Sequence, residues 1–250
     1  MTVGQQCLLL LAGVGAGLVG FVTGLASLVS YPVLLALGVS PLTANMTNTV
    51  ALVGSGVGST VGAQVELAGQ RGRVLWFLAP AVAGGASGAA LLLLLPKGAF
   101  EDVVPFLVAL ASLALLFRTR LLAFAGHHLP ERGLRVTVLV YAVSVYGGYF
   151  GAAAGVALLA LLLAVTGERI AVSNALKSVI LGVANAVAGV AFIVFGSVAW
   201  SAALPLALGF LAGGYAGPFV FRRLPGEPVR VAVAAAGFAL AVKLGWDTFG

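Results

Sequence analysis

Lys177 stands in the run Ser173-Asn174-Ala175-Leu176-Lys177-Ser178, with Asn185 eight residues further on. In a helix Asn174 lies one turn before the lysine and Asn185 about two turns after it, so the amine and both amides return to one face. A cation flanked by amide and hydroxyl donors is what a compact oxyanion needs for charge-assisted hydrogen bonds. Everything around this stripe is apolar. A helix opening near Ile170 carries the amine about 10 Å along its axis. Across a bilayer that depth is the edge of the hydrocarbon, where a charge costs about 3 kcal/mol or more unless it faces a polar interior. The stripe therefore reads either as an anion or proton site, or as a lysine that snorkels outward or pairs with a backbone carbonyl.

A related pattern occurs earlier. Thr47-Asn48 opens one helical stretch as Ser173-Asn174 opens the other. Donors in a first helical turn sit at the positive end of the helix dipole, which favours anions. Thr47, Asn48, Ser173, Asn174, Lys177 and Asn185 are accordingly the candidate substrate-binding residues, with Tyr31 as a candidate gate. Each has a structural alternative. Asparagines hydrogen-bond between membrane helices, each worth about 0.6–2 kcal/mol; Thr47 and Ser173 suit caps or back-bonded hydroxyls; tyrosines serve packing and interfaces.

The elements that hold these residues are set by composition. Of 250 residues 61% are hydrophobic and 8% charged, and the mean hydropathy is +1.15. A soluble domain needs roughly 25% charged residues, so the chain is expected to be an all-α polytopic membrane protein. Its 35 glycines suit close helix packing through small residues. The formal charge of +6 bears on topology and the lipid surface, and gives no argument for nucleic acid. The single Cys7 excludes an internal disulfide. The apolar run after Met1 lacks a basic start and continues past signal-peptide length, so it is expected to be a retained first helix.

About eight transmembrane segments are expected. The first apolar stretch, Cys7 to Leu37, is too long for one span, and Ser30-Tyr31-Pro32 predicts a break or kink in it. A helix follows from about Leu42 to Glu66, then helices over about 74–95 and 100–122. The basic connection of Arg118, Arg120, His127, His128, Arg132 and Arg135 follows. The second half opens with another over-long stretch, Val136 to Val165, rich in glycine around Tyr146 and Tyr149. Helices over about 170–195, 199–221 and 228–246 complete the set. This order predicts two four-segment repeats, 1–125 and 126–250, forming one membrane domain. Repeat-built transporters bind substrate near the midplane, where interrupted helices meet. Over eight alternating spans Lys and Arg fall on both sides, which leaves orientation open with a slight preference for a cytoplasmic N-terminus.

Several runs resemble the sulfite exporter TauE/SafE family of membrane permeases: Gly20-Phe-Val-Thr-Gly24, Tyr31-Pro-Val-Leu-Leu-Ala-Leu-Gly38, Ala44-Asn-Met-Thr-Asn-Thr-Val-Ala51, Tyr146-Gly-Gly-Tyr-Phe-Gly-Ala-Ala-Ala-Gly155 and Ala171-Val-Ser-Asn-Ala-Leu-Lys177. Asn185 and Gly196-Ser-Val-Ala-Trp200 continue the likeness. Many members carry glycines just before the proline, where this chain has Ala26-Ser-Leu-Val-Ser-Tyr31; the pore-lining backbone and the substrate can differ there. The resemblance implies a multi-pass protein of the cytoplasmic membrane that moves sulfite, sulfonates or related small organic anions.

No catalytic constellation is visible among the seven carboxylates, which sit at segment edges, so no enzymatic activity, cofactor or metal site is expected. His127 and His128 lack a third ligand at useful spacing. Gln64 and Glu66 are expected to face water, and Glu168-Arg169 to form a loop pair. Without a Walker motif, coupling must come from a gradient, through a proton or another ion. Two alternatives stay open: a transporter of the same fold with other cargo, and an intramembrane enzyme or assembly factor. The oligomeric state is not legible.

Overall fold

The computed structural model describes residues 1–117, 131 and 133–223, and these fold into helices and short connections without a strand. In chain order the helices are α1 (Val3–Thr23), α2 (Ser27–Ala36), α3 (Pro41–Gly62), the single turn α4 (Gln64–Leu67), α5 (Arg71–Leu94), α6 (Lys97–Leu116), α7 (Leu134–Tyr149), α8 (Ala154–Thr166), α9 (Ile170–Phe195) and α10 (Trp200–Phe221). Among the described residues α1, α5, α9 and α10 are long and apolar enough to cross a membrane by length and composition. α3 is as long as these but carries Asn45, Thr47, Asn48 and Thr49 on buried positions. It can hold them because its polar face is turned into the protein rather than to lipid.

Both over-long stretches are broken, and each break lies at glycine. The α1 helix starts on a capping box, in which the Thr2 hydroxyl accepts from the Gln5 N–H and the Thr2 N–H donates to the Gln5 side chain. It ends at Gly24, whose φ of 86° is left-handed and whose N–H closes onto the Gly20 carbonyl. The expected break at Pro32 is displaced: that proline sits inside α2. The second break spans residues 150–153, with φ of 78° at Gly151 and 67° at Ala153. The Tyr146 hydroxyl donates to the Ala152 carbonyl at 2.6 Å and closes this loop.

The helix expected from about Leu42 to Glu66 is α3 and ends at Gly62, because the chain turns at Ala63 into α4. The expected helix over 228–246, the end of the helix predicted over 100–122, and Arg118, Arg120, His127, His128 and Arg132 lie outside the described residues.

Close contacts fix helix directions. Gly13, Gly17 and Phe21 of α1 meet Gly209, Gly213 and Gly217 of α10 in that order, so α1 and α10 run parallel. Gly54, Gly58 and Gly62 of α3 meet Ala207, Leu211 and Tyr215 of the same helix, and α3 is parallel too. Along α5, Gly84 meets Ser144 and Gly88 meets Gly148 of α7, while Gly85 meets Ala184 of α9 and Arg73 meets Glu168 just before α9. Helices α5, α7 and α9 thus share one direction. The two sets oppose each other where α3 crosses α9. There Met46 meets Gly196, Val50 meets Gly189, and a β-carbon on Gly56 would stand 2.7 Å from the Gly182 Cα. Only glycine permits that crossing.

The α2 helix turns back along α3: its Ser27 bonds Asn48 and its Tyr31 hydroxyl bonds the Pro41 carbonyl. Each broken stretch is therefore a hairpin, a long arm followed by a short helix that starts inside the protein.

Candidate functional site

The two breaks touch. A β-carbon on Gly24 would stand 2.6 Å from the Gly155 carbonyl carbon, and one on Gly155 would stand 2.5 Å from the Gly24 oxygen. Two helix N-termini, those of α2 and α8, are thereby brought together in the interior. Their first turns close onto the breaks, Leu28, Val29 and Ser30 donating to Leu25 and Ala26, and Ala154, Val156 and Ala157 to Gly151 and Ala153, and both helices present the positive end of a dipole. Beside them lies a cavity of about 60 Å³, room for a few water-sized groups. Ser27 and Gly24 line it from the first break, Gly151 and Gly155 from the second, Ser55 and Ser59 from α3, and Lys177, Ser178 and Asn185 from α9.

Lys177 is 2% exposed. Its ammonium donates to the Gly20 carbonyl at 3.1 Å, the Phe21 carbonyl at 3.0 Å and the Asn174 side-chain oxygen at 2.9 Å, and it stands 5.7 Å from the Phe21 ring centre. The two carbonyls belong to the last turn of α1; that of Gly20 also accepts from the Gly24 N–H, whereas that of Phe21 has no backbone donor among the described residues. A cation is favoured at that negative helix end, and a bare carbonyl at membrane depth would cost several kcal/mol. One face of the amine thus holds the hairpin together while the side chain lines the cavity.

Of the residues expected to bind substrate, Lys177 and Asn185 line this cavity; Asn174 stands behind the lysine, its Nδ2 buried without a partner among the described residues. The Ser173 hydroxyl is likewise buried and unpartnered. Asn48 spends both ends of its amide on α2, donating to the Ser27 hydroxyl at 3.1 Å and accepting from Ser30 at 2.5 Å. Thr47 accepts from the Ala199 N–H at 3.0 Å and so secures the start of α10. Tyr31 packs edge-on against Phe150 and reaches Pro41 rather than the cavity.

Ser55 and Ser59 were not singled out by the sequence. Their signal was present, since both fall in the glycine-rich stretch of α3 that carries Gly54, Gly56, Gly58 and Gly62, but a serine spaced among glycines also reads as packing. Asn45 lies on the same helix, and its Nδ2 donates to the Tyr149 carbonyl at 2.8 Å and satisfies the end of α7.

Two ion pairs differ from expectation. Glu66 does not face water but takes two hydrogen bonds from Arg222 at 2.8 and 2.9 Å. The partner of Glu168 is Arg73, at 2.5 Å, rather than its neighbour Arg169; Arg73 also holds Glu131 at 2.7 Å. The hydrogen bond from Arg73 lowers the Glu168 pKa below the ordinary carboxylate value. Among the described residues no group of three or more His, Cys, Asp or Glu side chains stands together as a metal site.

Comparison with known families agrees with this architecture. The profile of the sulfite exporter TauE/SafE family matches residues 9–244. No curated protein and no solved structure gives a significant match. With nearly its whole length matched, the chain belongs to the sulfite exporter TauE/SafE family and is a multi-pass membrane permease.

Proposed function

We propose that this permease is a secondary transporter of the cytoplasmic membrane that carries small sulfur-containing or organic oxyanions, sulfite or a sulfonate, coupled to a proton or other ion gradient. The observation that carries the reading is the cavity where the N-termini of α2 and α8 meet beside Lys177. Helix N-termini and an ammonium attract an anion, and Ser27, Ser55, Ser59, Ser178 and Asn185 add hydroxyl and amide donors. Among the described residues no carboxylate or histidine lines the cavity, which disfavours a hard cation as cargo and gives an intramembrane enzyme no acid–base pair.

On this reading Lys177, Asn185 and Asn174 contact or orient the anion, while Thr47, Asn48, Ser173 and Tyr31 hold the surrounding frame. Residues 1–125 and 126–250 are read as repeats inverted in the membrane. Support comes from the directions of the helices: α1 opposes α7, α3 opposes α9 and α5 opposes α10. The same sequence spacing separates Asn48 from Asn174 and Gly56 from Gly182. In inverted-repeat transporters the bound site stays fixed while the halves rock around it.

The test is uptake of labelled sulfite and of a small sulfonate into proteoliposomes, with and without an imposed pH gradient. Uptake of either anion that rises with the gradient is expected. A purified, folded protein that moves neither would overturn the cargo, and equal uptake without a gradient would overturn the coupling.

A further inference from the structure

The hairpins re-sort the charged connections. Because α2 and α8 return towards the end from which their long arms came, α3 sets out from the same end as α1, and α9 from the same end as α7. One end of the bundle then collects the C-termini of α3 and α10 with the N-termini of α5, α7 and α9. It carries Arg71, Arg73, Arg135, Arg169, Arg222 and Arg223, with Glu66, Glu131 and Glu168 among them. Two of the arginines are engaged by those acids, Arg73 by Glu131 and Glu168 and Arg222 by Glu66, whereas Arg71, Arg169 and Arg223 are exposed. The opposite end holds Met1, the 37–40 turn, the α5–α6 connection and the 196–199 connection. Its only Lys or Arg among the described residues is Lys97.

We propose that the arginine-rich end rests on the anionic lipid headgroups of the cytoplasmic leaflet and that Met1 lies on the far side of the membrane. Arginines in short connections near the ends of spans are retained on the cytoplasmic side, and among the described residues six stand at this end against one at the other. Guanidinium groups on that face are also attracted to the negative surface of the inner leaflet. The even spread expected from eight alternating spans came from counting each over-long stretch as one crossing. The inference depends on the chain being a multi-pass membrane protein and not on its cargo.

The experiment labels single cysteines in the full chain, expressed in a bacterial host, with Cys7→Ala removing the native thiol. Ser197→Cys reports one end and Ala68→Cys the other; both positions are exposed. A membrane-impermeant maleimide is expected to label Ser197→Cys in intact spheroplasts and Ala68→Cys only after permeabilisation. The reverse pattern, or labelling of both in intact spheroplasts, overturns the assignment. An epitope at the N-terminus gives a second readout that disturbs no helix. Antibody binding to intact spheroplasts is expected, and binding only after permeabilisation overturns the proposal whatever the maleimide shows.

Discussion

The two hairpins face one physical problem and solve it differently. A helix that stops at membrane depth leaves carbonyls that water cannot reach. At the end of α7 the Tyr149 carbonyl is satisfied by the neutral amide of Asn45, and the loop is closed by Tyr146. At the end of α1 the Gly20 and Phe21 carbonyls are satisfied by the ammonium of Lys177. The asparagines in the two central helices differ in the same sense. Asn48 exhausts its amide on Ser27 and Ser30, whereas Asn174 gives its oxygen to the lysine and keeps an Nδ2 without a partner among the described residues. A neutral donor suffices to finish a broken helix in this fold. The charge at Lys177 exceeds that structural need, and it stands beside the cavity. The α7 end reads as frame, the α1 end as frame and site together.

The largest effect that separates the two is expected at Lys177. Lys177→Met leaves the Phe21 carbonyl and the Asn174 oxygen without this donor, at about 1–3 kcal/mol for each buried group. Anion flux should fall about tenfold to a hundredfold, as expected where the attraction of a neighbouring charge worth about 1.5–3 kcal/mol is lost. Asn45→Ala should cost comparable stability per lost bond yet retain much of the flux carried by the folded fraction. Thermal melting in detergent beside initial uptake rates separates these outcomes, and equal flux loss per folded protein would erase the distinction.

Next comes the contact between the breaks. Gly155→Ala drives a methyl into the Gly24 backbone and should destabilise by about 1–3 kcal/mol, as overpacking does. At Gly98, where a β-carbon meets nothing within 4 Å, the same change should be nearly silent. The two asparagines give a finer comparison: Asn48→Ala should lower the melting temperature more, and Asn174→Ala should lower uptake more. Reversal of that order would exchange their roles.

The smallest effect concerns Glu168. Arg73 holds its pKa below the ordinary 4.5. The pair therefore contributes fully above that value, and the contribution is lost as pH falls through the lower folded-state pKa. Both side chains are partly exposed, so the pair is worth about 1 kcal/mol or less. Melting curves of wild type and Glu168→Gln should differ at pH 7 and converge once the pH has fallen below the lowered folded-state pKa; a gap that persists in acid would show another cause.

Much of this was legible. Hydropathy and glycine content indicated packed membrane helices, and helical spacing placed Lys177 and Asn185 on one face. The hairpins were not legible, because hydropathy records apolar length and is blind to a reversal inside it. Pro32 drew the first break too far along the chain, although a proline can sit within a short helix whose start is already set elsewhere. What sets that start is Gly24 against Gly155, a contact between distant residues that no local signal carries. The partner of Glu168 was missed for the same reason, since Arg73 reaches it only after the helices have packed.

The most direct test of the central claim is Lys177→Gln, which offers an amide donor where the lysine offered a cation. Sulfite uptake by wild type and variant is measured in proteoliposomes at matched amounts of folded protein. The account predicts a variant that folds and melts close to wild type but transports at about a tenth of its rate or less. Wild-type uptake by a folded Lys177→Gln protein would contradict it, and would make the lysine a helix cap and nothing more.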